Sequence, residues 1–125
     1  MPDRCPFCEP DAQRIWMDNA IGVVLWCAFP VTQGHSLVVP KRHVASIYEL
    51  SPDEQAALWM LVGEARQRLQ DQFHPDGFNI GVNDGAAAGQ TVPHAHIHVI
   101  PRRTSDVADP RGGIRWVIPD KARYW

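Results

Sequence analysis

The sequence lacks the features that would place the protein outside the ordinary globular class. It has 12 Lys and Arg against 14 Asp and Glu, a formal net charge of −2, so its charge favours binding neither to nucleic acid nor to a membrane. The longest apolar run, AIGVVLWCAF at residues 20–29, is far too short for a bilayer-spanning helix and indicates a buried strand. The amino terminus has no apolar region typical of a signal peptide, which predicts a cytoplasmic protein.

Internal repeats, low-complexity tracts and long linkers are also missing. We therefore expect a single domain over residues 1–125, with an irregular N-terminal segment at 1–12 and a C-terminal tail at 102–125. With 45% hydrophobic and 21% charged residues, the chain can bury one ordinary core without covalent cross-links.

Cysteine is scarce, and its placement is informative. Two of the three cysteines, Cys5 and Cys8, form the motif CPFC. In a cytoplasmic protein such a pair indicates half of a zinc site or a redox pair rather than part of a disulfide framework. A third interpretation is that both cysteines are simply reduced thiols without a metal or redox role. A closed zinc site needs two further ligands.

The pattern of apolar residues predicts an α+β domain. Ser51, Pro52 and Glu54 form the start of a capping box, and the apolar spacing behind it predicts a helix from about 52 to 72. A mostly antiparallel sheet of about five strands, with this long helix and one short one, is expected. The strand-like segments are residues 14–17, 21–28, 35–40, 78–84 and 91–100, the short helical segment is 43–50, and the tail is loop-like except for IRWVIP at 114–119.

Three of the six histidines lie in the stretch TVPHAHIHVI, residues 91–100. Because side chains alternate across a strand, His94, His96 and His98 would share one face at about 6.6 Å spacing, with the intervening apolar residues on the core side. The three imidazoles could bind a metal ion, or could act as nucleophile and proton carrier. A polar edge facing solvent is the remaining interpretation, and spacing alone does not choose between metal and catalysis.

The segment before the histidines favours contact with phosphate. Gly89, Gln90 and Thr91 follow a small-residue turn and can supply backbone N–H groups, an amide and a hydroxyl to anionic oxygens. No carboxylate lies within five residues of the three histidines, where a water-activating metal site could use one as a base.

These segments together resemble the histidine triad (HIT) family. GQTVPHAHIHVIPR matches the signature His-φ-His-φ-His-φ-φ, in which φ is apolar, and PVTQGHSLVVPKRHV at 30–44 matches a second characteristic segment. The resemblance covers residues 5–103. It implies a HIT-like fold, a homodimer, and an enzyme without an organic cofactor. The enzyme would cleave a small nucleotide substrate, such as a dinucleoside polyphosphate or nucleoside phosphoramidate, at the α-phosphorus and release a nucleoside monophosphate.

The resemblance also implies roles for single catalytic residues. His96 would be the nucleophile and form a covalent nucleotidyl-histidine. One of its nitrogens must then be unprotonated, and the other needs an acceptor, which we expect to be a backbone oxygen. His98 would contact the phosphate or the bridging oxygen, and His35 would hydrogen-bond into the same relay. A protonated neighbouring histidine would offset charge and donate a proton. The residues implied to hold the phosphate or protonate the leaving group are Asn83, Gly89, Gln90 and Thr91.

The same resemblance assigns the CPFC cysteines to a metal. His43 and His94 match the family positions that complete a Cys2His2 site with Cys5 and Cys8. Four protein ligands would make this zinc structural and would tie the N-terminus to the catalytic strand.

One position departs from the family pattern. Many members carry Asp or Asn eight residues before His35, where it binds both ribose hydroxyls, and this chain has Cys27 there. A thiol is a poor partner for a diol, so a non-catalytic nucleotide- or zinc-binding module is an alternative. A nucleotidyltransferase of the same superfamily is another, although related transferases have glutamine at the position of His98. Hydrolysis by a metal held on all three histidines is the last.

Overall fold

A computed structural model describes residues 5–125 of the protein. Five strands form one sheet in the order β1-β2-β3-β5-β4, and every neighbouring pair is antiparallel. The predicted α+β class is confirmed. The strands are β1 Ile15–Asp18, β2 Gly22–Trp26, β3 Ser36–Pro40, β4 Gly77–Gly81 and β5 Ile97–Arg102, and the helices are α1 Pro52–Phe73 and α2 Pro119–Ala122. Single 3-10 turns occupy Ala12–Arg14, Ile47–Glu49, Ala86–Ala88 and Gly113–Val117.

Helix α1 begins where the capping box predicts. The Ser51 side chain accepts a hydrogen bond from the Glu54 backbone N–H, and the Glu54 carboxylate accepts one from the Ser51 N–H. These bonds satisfy donors that the first turn of a helix leaves unpaired. The helix ends at His74, which adopts the left-handed conformation. Its buried stripe faces the sheet and consists of Leu58, Leu61, Val62, Ala65 and Leu69.

Apolar side chains pack on both faces of the sheet. Val24, Val38, Ile97 and Val99 lie in the main core together with the stripe of α1. Because alternate residues point to opposite faces, the neighbouring residues of β2 and β3 form a second cluster on the outer face. That cluster contains Val23, Leu25, Leu37, Val39 and, from the N-terminal segment, Phe7.

The last strand is shorter and later than the sequence pattern predicts. Residues 91–96 are not part of β5, which begins at Ile97 and runs past Pro101 to Arg102. Pairing with β3 covers only residues 97–99, so the missing N–H of Pro101 removes no bond on that side. His94 and His96 therefore precede the strand, and only His98 lies within it. The prediction that all three histidines share one strand face was wrong.

Strand β4 also ends earlier than predicted, at Gly81 rather than at residue 84. The IRWVIP segment, the exception in the loop-like tail, falls in a 3-10 turn at Gly113–Val117 and a short helix at Pro119–Ala122. Gly112 and Gly113 both have positive φ, which turns the chain into this turn. No helix among the described residues has the length and apolarity needed to cross a bilayer.

Two glycines provide a matched test of the packing between α1 and the sheet. A Cβ at Gly22 would lie 2.7 Å from the Val39 carbonyl oxygen and 3.1 Å from Leu58 Cδ1, whereas a Cβ at Gly63 in α1 would contact nothing within 4 Å. We expect Gly22→Ala to lower the free energy of unfolding by about 2 kcal/mol because of overpacking. We expect Gly63→Ala to raise it by roughly 0.5–1 kcal/mol because alanine favours helix. Denaturant titration measures both, and equal effects would contradict this packing.

Candidate active site and metal cluster

Four side chains from three segments converge at the start of the histidine stretch. Cys8 Sγ lies 3.1 Å from His43 Nδ1 and 3.5 Å from His94 Nδ1. Cys5 Sγ is 3.3 Å from His94 Nδ1, and the two Nδ1 atoms are 3.1 Å apart. With metal–nitrogen bonds of about 2.0–2.1 Å and metal–sulfur bonds of about 2.3 Å, a tetrahedron has edges of roughly 3.3–3.8 Å. The cluster could hold a metal ion, since all four atoms lie within 4.8 Å of one another.

The orientation of His94 also suits a metal ligand. Its Nε2 donates a hydrogen bond to the Pro40 carbonyl oxygen at 2.8 Å, which leaves Nδ1 unprotonated and directed at the cluster. A second nitrogen held by a backbone carbonyl is the usual arrangement for a metal-binding histidine. His94 is fully buried, and burial lowers the pKa of its imidazole. Both properties favour the neutral form that binds metals.

His96 is oriented by the backbone of His94. Its Nδ1 donates to the His94 carbonyl oxygen at 2.9 Å, so the neutral ring carries its lone pair on Nε2. The ring packs against Phe7, with centroids 4.9 Å apart, and against His98 at 5.2 Å. The acceptor that a nucleophilic His96 requires is therefore present, and it is a backbone oxygen.

His35 and His98 form a directed pair of hydrogen bonds. The Val31 backbone N–H donates to His35 Nδ1 at 3.1 Å, so neutral His35 carries its proton on Nε2. That nitrogen lies 3.0 Å from His98 Nδ1, which must act as the acceptor. Neutral His98 then has its proton on Nε2, where it remains available as a donor.

Burial keeps this pair uncharged. It lowers the pKa of His35, and burial with the neighbouring His96 and His35 lowers the pKa of His98 to about 4. At neutral pH His98 is therefore a neutral donor. In the free protein, His98 is therefore not the protonated histidine expected beside His96, because the buried group of imidazoles disfavours a positive charge.

The three histidines of the stretch do not converge on one point. His94 turns its Nδ1 to the cysteines and His43, while His98 Nδ1 accepts from His35. The bend before β5 produces this separation, since Ala95 N–H bonds to the Val44 carbonyl oxygen rather than to β3. The arrangement does not fit a metal held jointly by His94, His96 and His98.

A cavity of about 1000 Å³ opens beside the histidine pair. It is lined by His35, His98 and Asn83 and also by residues of the tail between 106 and 118. His96 is nearly buried, with 9% of its surface exposed, and is not among the described residues that line this cavity. Among the three histidines of the stretch, His98 is thus the one found among the described lining residues.

The predicted phosphate-binding residues do not all lie in the cavity. Asn83 lies in the cavity, whereas the Gln90 side chain is engaged with backbone. Its Oε1 accepts from the Gly85 N–H, and its Nε2 donates to the carbonyl oxygens of Ala45 and Val92. Gln90 therefore fixes the turn ahead of the histidines. Gly89 caps the 3-10 turn in the left-handed conformation and Thr91 is exposed.

Several groups at the site were not found from the sequence. The Val31 N–H and the Pro40 carbonyl oxygen are backbone atoms, which no residue pattern reveals. Phe7 did carry a signal, because it lies between the two cysteines of CPFC and must come near whatever they bind. Cys27 is partly buried against the outer-face cluster, and it is not among the described residues that line the cavity.

Comparison with known proteins identifies the family of the chain. The profile of the HIT domain matches residues 9–105. The chain belongs to the HIT domain family. The resemblance drawn from the histidine motifs is confirmed.

Relatives in this family have names that describe nucleotide hydrolysis. The chain is 41% identical over 110 residues to "Bis(5'-nucleosyl)-tetraphosphatase [asymmetrical]" of Schizosaccharomyces pombe, covering 87% of this chain and 60% of that protein. It is 42% identical over 107 residues to an Arabidopsis thaliana protein named adenylylsulfatase, covering 82% and 54%. The chain thus spans between half and two thirds of these relatives.

A solved structure in the family is similar in fold. The crystal structure of a Zn-bound histidine triad family protein from Mycobacterium smegmatis superposes with a TM-score of 0.71 at 38% identity. The match covers 84% of this chain and 79% of that one. The HIT-like fold expected from the sequence is confirmed by this likeness.

The lowered pKa of His98 predicts a pH-dependent stability. Folded His98 stays neutral down to about pH 4, whereas a histidine in the unfolded chain has a pKa of about 6.5. Between these values the unfolded chain binds more protons, so the free energy of unfolding falls as pH drops from 7 to 5. His98→Gln keeps an acceptor for His35 but removes the titrating imidazole. Over the same pH range we expect the variant to lose less free energy of unfolding than the wild type, by on the order of 1 kcal/mol after screening by solvent. Equal losses in chemical denaturation would contradict the depressed pKa.

Proposed function

We propose that this HIT-family protein is a nucleotidyl hydrolase that cleaves its substrate at the α-phosphorus with His96 as the nucleophile. The observation that carries the proposal is the bond from His96 Nδ1 to the His94 carbonyl oxygen. It fixes the neutral ring with an unprotonated Nε2, next to the neutral donor His98. The hydrolase names of the relatives support the same class of reaction.

In the first step His96 Nε2 attacks the α-phosphorus. A P–N bond forms, the bond from phosphorus to the bridging atom breaks, and the leaving group takes the electron pair. A phosphate leaves as its anion, whereas an amine also takes up one proton, which solvent supplies. The imidazole of His96 becomes cationic at this point, and the His94 carbonyl oxygen that accepts from Nδ1 stabilises that charge. The Nε2–H of His98 hydrogen-bonds the phosphate or bridging oxygen on which negative charge develops.

In the second step water attacks the nucleotidyl-histidine. The P–N bond breaks and its electron pair returns to Nε2 of His96. The nucleoside monophosphate leaves with the oxygen and one proton of the water, and the second proton passes to solvent. His35 acts through His98, since its Nε2–H holds the acceptor side of that ring. We assign the phosphate contacts to Asn83, Gly89, Gln90 and Thr91, with Gln90 also holding the turn through its backbone bonds.

The metal that we propose for the Cys5, Cys8, His43 and His94 cluster is zinc. Two thiolates and two neutral imidazoles form a usual zinc donor set, and four protein ligands leave no open position for substrate. When bound, zinc would supply structural cross-linking rather than Lewis-acid chemistry. The metal would link the N-terminal segment, whose Phe7 contacts the His96 ring, to the His94 backbone that orients His96.

The remaining proposals concern assembly and location. We propose a cytoplasmic homodimer that acts on a small nucleotide without an organic cofactor, and not on nucleic acid or at a membrane. Within residues 5–125, β4 pairs only with β5, so its other edge can pair with a second copy. Helix α1 exposes Trp59 and Met60, which supports an additional contact surface.

A non-catalytic nucleotide-binding module is the second candidate. Two observations favour it: the ribose-anchor position holds the partly buried Cys27, and His96 lies nearly buried under Phe7. A nucleotidyltransferase is less well supported, because this chain has His98 and not glutamine.

The role of His96 predicts a specific loss of turnover. Wild-type protein should hydrolyse at least one of a panel of dinucleoside polyphosphates, adenylyl sulfate and nucleoside phosphoramidates. His96→Ala should lower kcat/KM at least 10³-fold, because no nucleophile remains. The control His74→Asn changes a histidine outside the site and keeps a residue that tolerates the left-handed conformation. Nucleotide binding without turnover in the wild type would establish the binding module instead.

Mass spectrometry tests the proposed covalent intermediate directly. In His98→Ala, which lacks the donor, intact-mass spectrometry after mixing with substrate should detect one added nucleotidyl group. The double variant with His96→Ala should show none. An adduct that persists in the double variant would place the nucleophile elsewhere.

The metal assignment is checked by elemental analysis of the purified protein. We expect about one zinc ion per chain, lost in the Cys5→Ser, Cys8→Ser double variant because both thiolates are removed. Cys27→Ser is the matched control and should keep zinc, since Cys27 does not belong to the four-residue cluster. The double variant should also unfold at a lower temperature. Zinc retained by the double variant would contradict the site.

A further inference from the structure

The loop that carries His35 contains the backbone donor that orients this histidine. Residues 27–35, which we call the His35 loop, connect β2 to β3 and close where the Cys27 N–H donates to the His35 carbonyl oxygen at 2.9 Å. The His35 N–H donates to the Thr32 carbonyl oxygen at 3.2 Å, and the Val31 N–H donates to His35 Nδ1. The position of the Val31 N–H therefore depends on the shape of this turn.

Little packing holds the tip of the His35 loop. Phe29 is 88% exposed and Val31 is 68% exposed, so neither side chain anchors the tip in the core. The loop does approach the end of β5 closely, since a Cβ at Gly34 would lie 3.2 Å from Pro101 Cγ. Where buried apolar contacts are few, a single hydrogen bond has a large share in fixing the local conformation.

Arg103 supplies such a bond from just beyond β5. Its Nη1 donates to the Gln33 carbonyl oxygen at 3.2 Å, in the turn between Val31 and His35. The backbone of Arg103 is itself held, because its N–H donates to Asp106 Oδ2 at 3.0 Å and its carbonyl oxygen accepts from the Asp106 N–H at 3.0 Å. The side chain thus reaches the loop from a fixed base.

These contacts form a closed path that begins and ends at β5. His98 lies within β5, and Arg103 follows the last residue of that strand. From Arg103 the path runs through the Gln33 carbonyl oxygen to the turn and the Val31 N–H. That N–H holds His35, which in turn donates to His98. Arg103 is not among the described residues that line the cavity, which favours an action through the loop over contact with substrate.

The bond between the two histidines does not by itself determine its direction. His35 Nε2 and His98 Nδ1 lie 3.0 Å apart, and in neutral rings either nitrogen could carry the proton of this bond. The Val31 N–H decides, because it makes His35 Nδ1 an acceptor and leaves the proton on Nε2. Without that N–H the pair can reverse. His98 would then carry its proton on Nδ1 and have none on Nε2.

The Arg103 side chain is poorly explained by stability alone. Its Nη2 is buried and has no hydrogen-bond partner within residues 5–125, and no carboxylate in that range forms an ion pair with it. A buried donor without a partner costs free energy. An arginine that bears this cost while its Nη1 holds the Gln33 carbonyl oxygen fits a role in positioning the loop.

We propose that Arg103 is a positioning residue for the histidine pair. It holds the Gln33 carbonyl oxygen and so keeps the Val31 N–H on His35. The proton of His98 consequently stays on Nε2. Control of the tautomer stands without any chemistry, whereas the effect on turnover rests on the donor role of His98 in the proposed function.

NMR of protein labelled with ¹⁵N in its histidine rings tests the tautomer directly. Protonated and unprotonated ring nitrogens resonate in separate ranges, and the spectra of His35→Gln and His98→Gln assign the signals. The variant is Arg103→Met, which keeps an unbranched apolar stem and removes the donors. Arg68→Met is the matched control, since Arg68 is an exposed residue of α1 whose side chain has no hydrogen bond or ion pair to the described residues.

We expect wild-type His98 to show a protonated Nε2 and an unprotonated Nδ1. In Arg103→Met the Nε2 signal should move towards the unprotonated range as the reversed pair becomes populated, whereas Arg68→Met should match the wild type. Arg103→Lys, which can still donate to the Gln33 carbonyl oxygen, should restore most of the wild-type signal. An unchanged His98 tautomer in Arg103→Met would overturn the proposal.

Stability separates positioning from a structural role. Arg103→Met removes a buried donor without a partner, so its free energy of unfolding should stay close to that of the wild type. Denaturant titration measures this. An Arg103→Met protein that is unfolded, or strongly destabilised with the His98 tautomer unchanged, would make Arg103 a structural residue and overturn the proposal.

Kinetics relates the tautomer to turnover, with diadenosine triphosphate and adenosine 5′-phosphoramidate as substrates. We expect Arg103→Met to lower kcat about fivefold, roughly the factor that one hydrogen bond is worth, with less than about a twofold change in KM. Arg103→Lys should recover most of this loss. A rise in KM with an unchanged tautomer would make Arg103 a substrate-binding residue and would also overturn the proposal.

Failure of the proposed function gives a different result. If the wild type hydrolyses neither substrate, or if the His98 tautomer changes while kcat does not, the donor role of His98 in hydrolysis is wrong. The NMR comparison needs no turnover, so it still decides whether Arg103 sets the tautomer.

Discussion

The bond from His96 Nδ1 to the His94 carbonyl oxygen is the contact on which the site depends. It joins two parts of the site through one peptide unit. The His94 side chain belongs to the cluster of Cys5, Cys8, His43 and His94 that could hold a metal ion, while its backbone orients His96. Displacement of His94 would disturb the cluster and the tautomer of His96 together. Phe7, which lies between the two cysteines and against the His96 ring, adds a packing contact along the same path.

Burial determines the chemistry of the other histidines. An imidazole surrounded by other imidazoles in a poorly solvated site gains little from a proton, so His35 and His98 remain neutral. Their tautomers then follow from the Val31 N–H, a fixed backbone donor that starts the series of hydrogen bonds. The donor that results at His98 is already oriented in the free protein, and preorganised donors of this kind need little rearrangement during reaction.

Much of the fold could be predicted because it follows from local patterns. The capping box at Ser51 and the apolar spacing behind it specify α1, and short apolar runs specify the strands. The beginning of β5 could not be predicted in this way. Residues 91–96 have a strand-like pattern, yet Ala95 bonds to Val44 and His94 turns to the two cysteines and His43. These partners are distant in sequence. Such tertiary contacts override local preference.

The sequence by itself determined the family, the α+β class and the set of chemically capable residues, because motifs and periodicity are properties of the chain alone. Only the tertiary structure decided how those residues are used. It separated His94 from His98 and engaged the Gln90 side chain in hydrogen bonds to backbone carbonyl oxygens. It also placed the tail beside the histidines as part of the cavity lining. The reason is physical: tautomers, burial and cavities depend on which backbone atoms and distant side chains surround a group, and spacing along the chain carries none of that information.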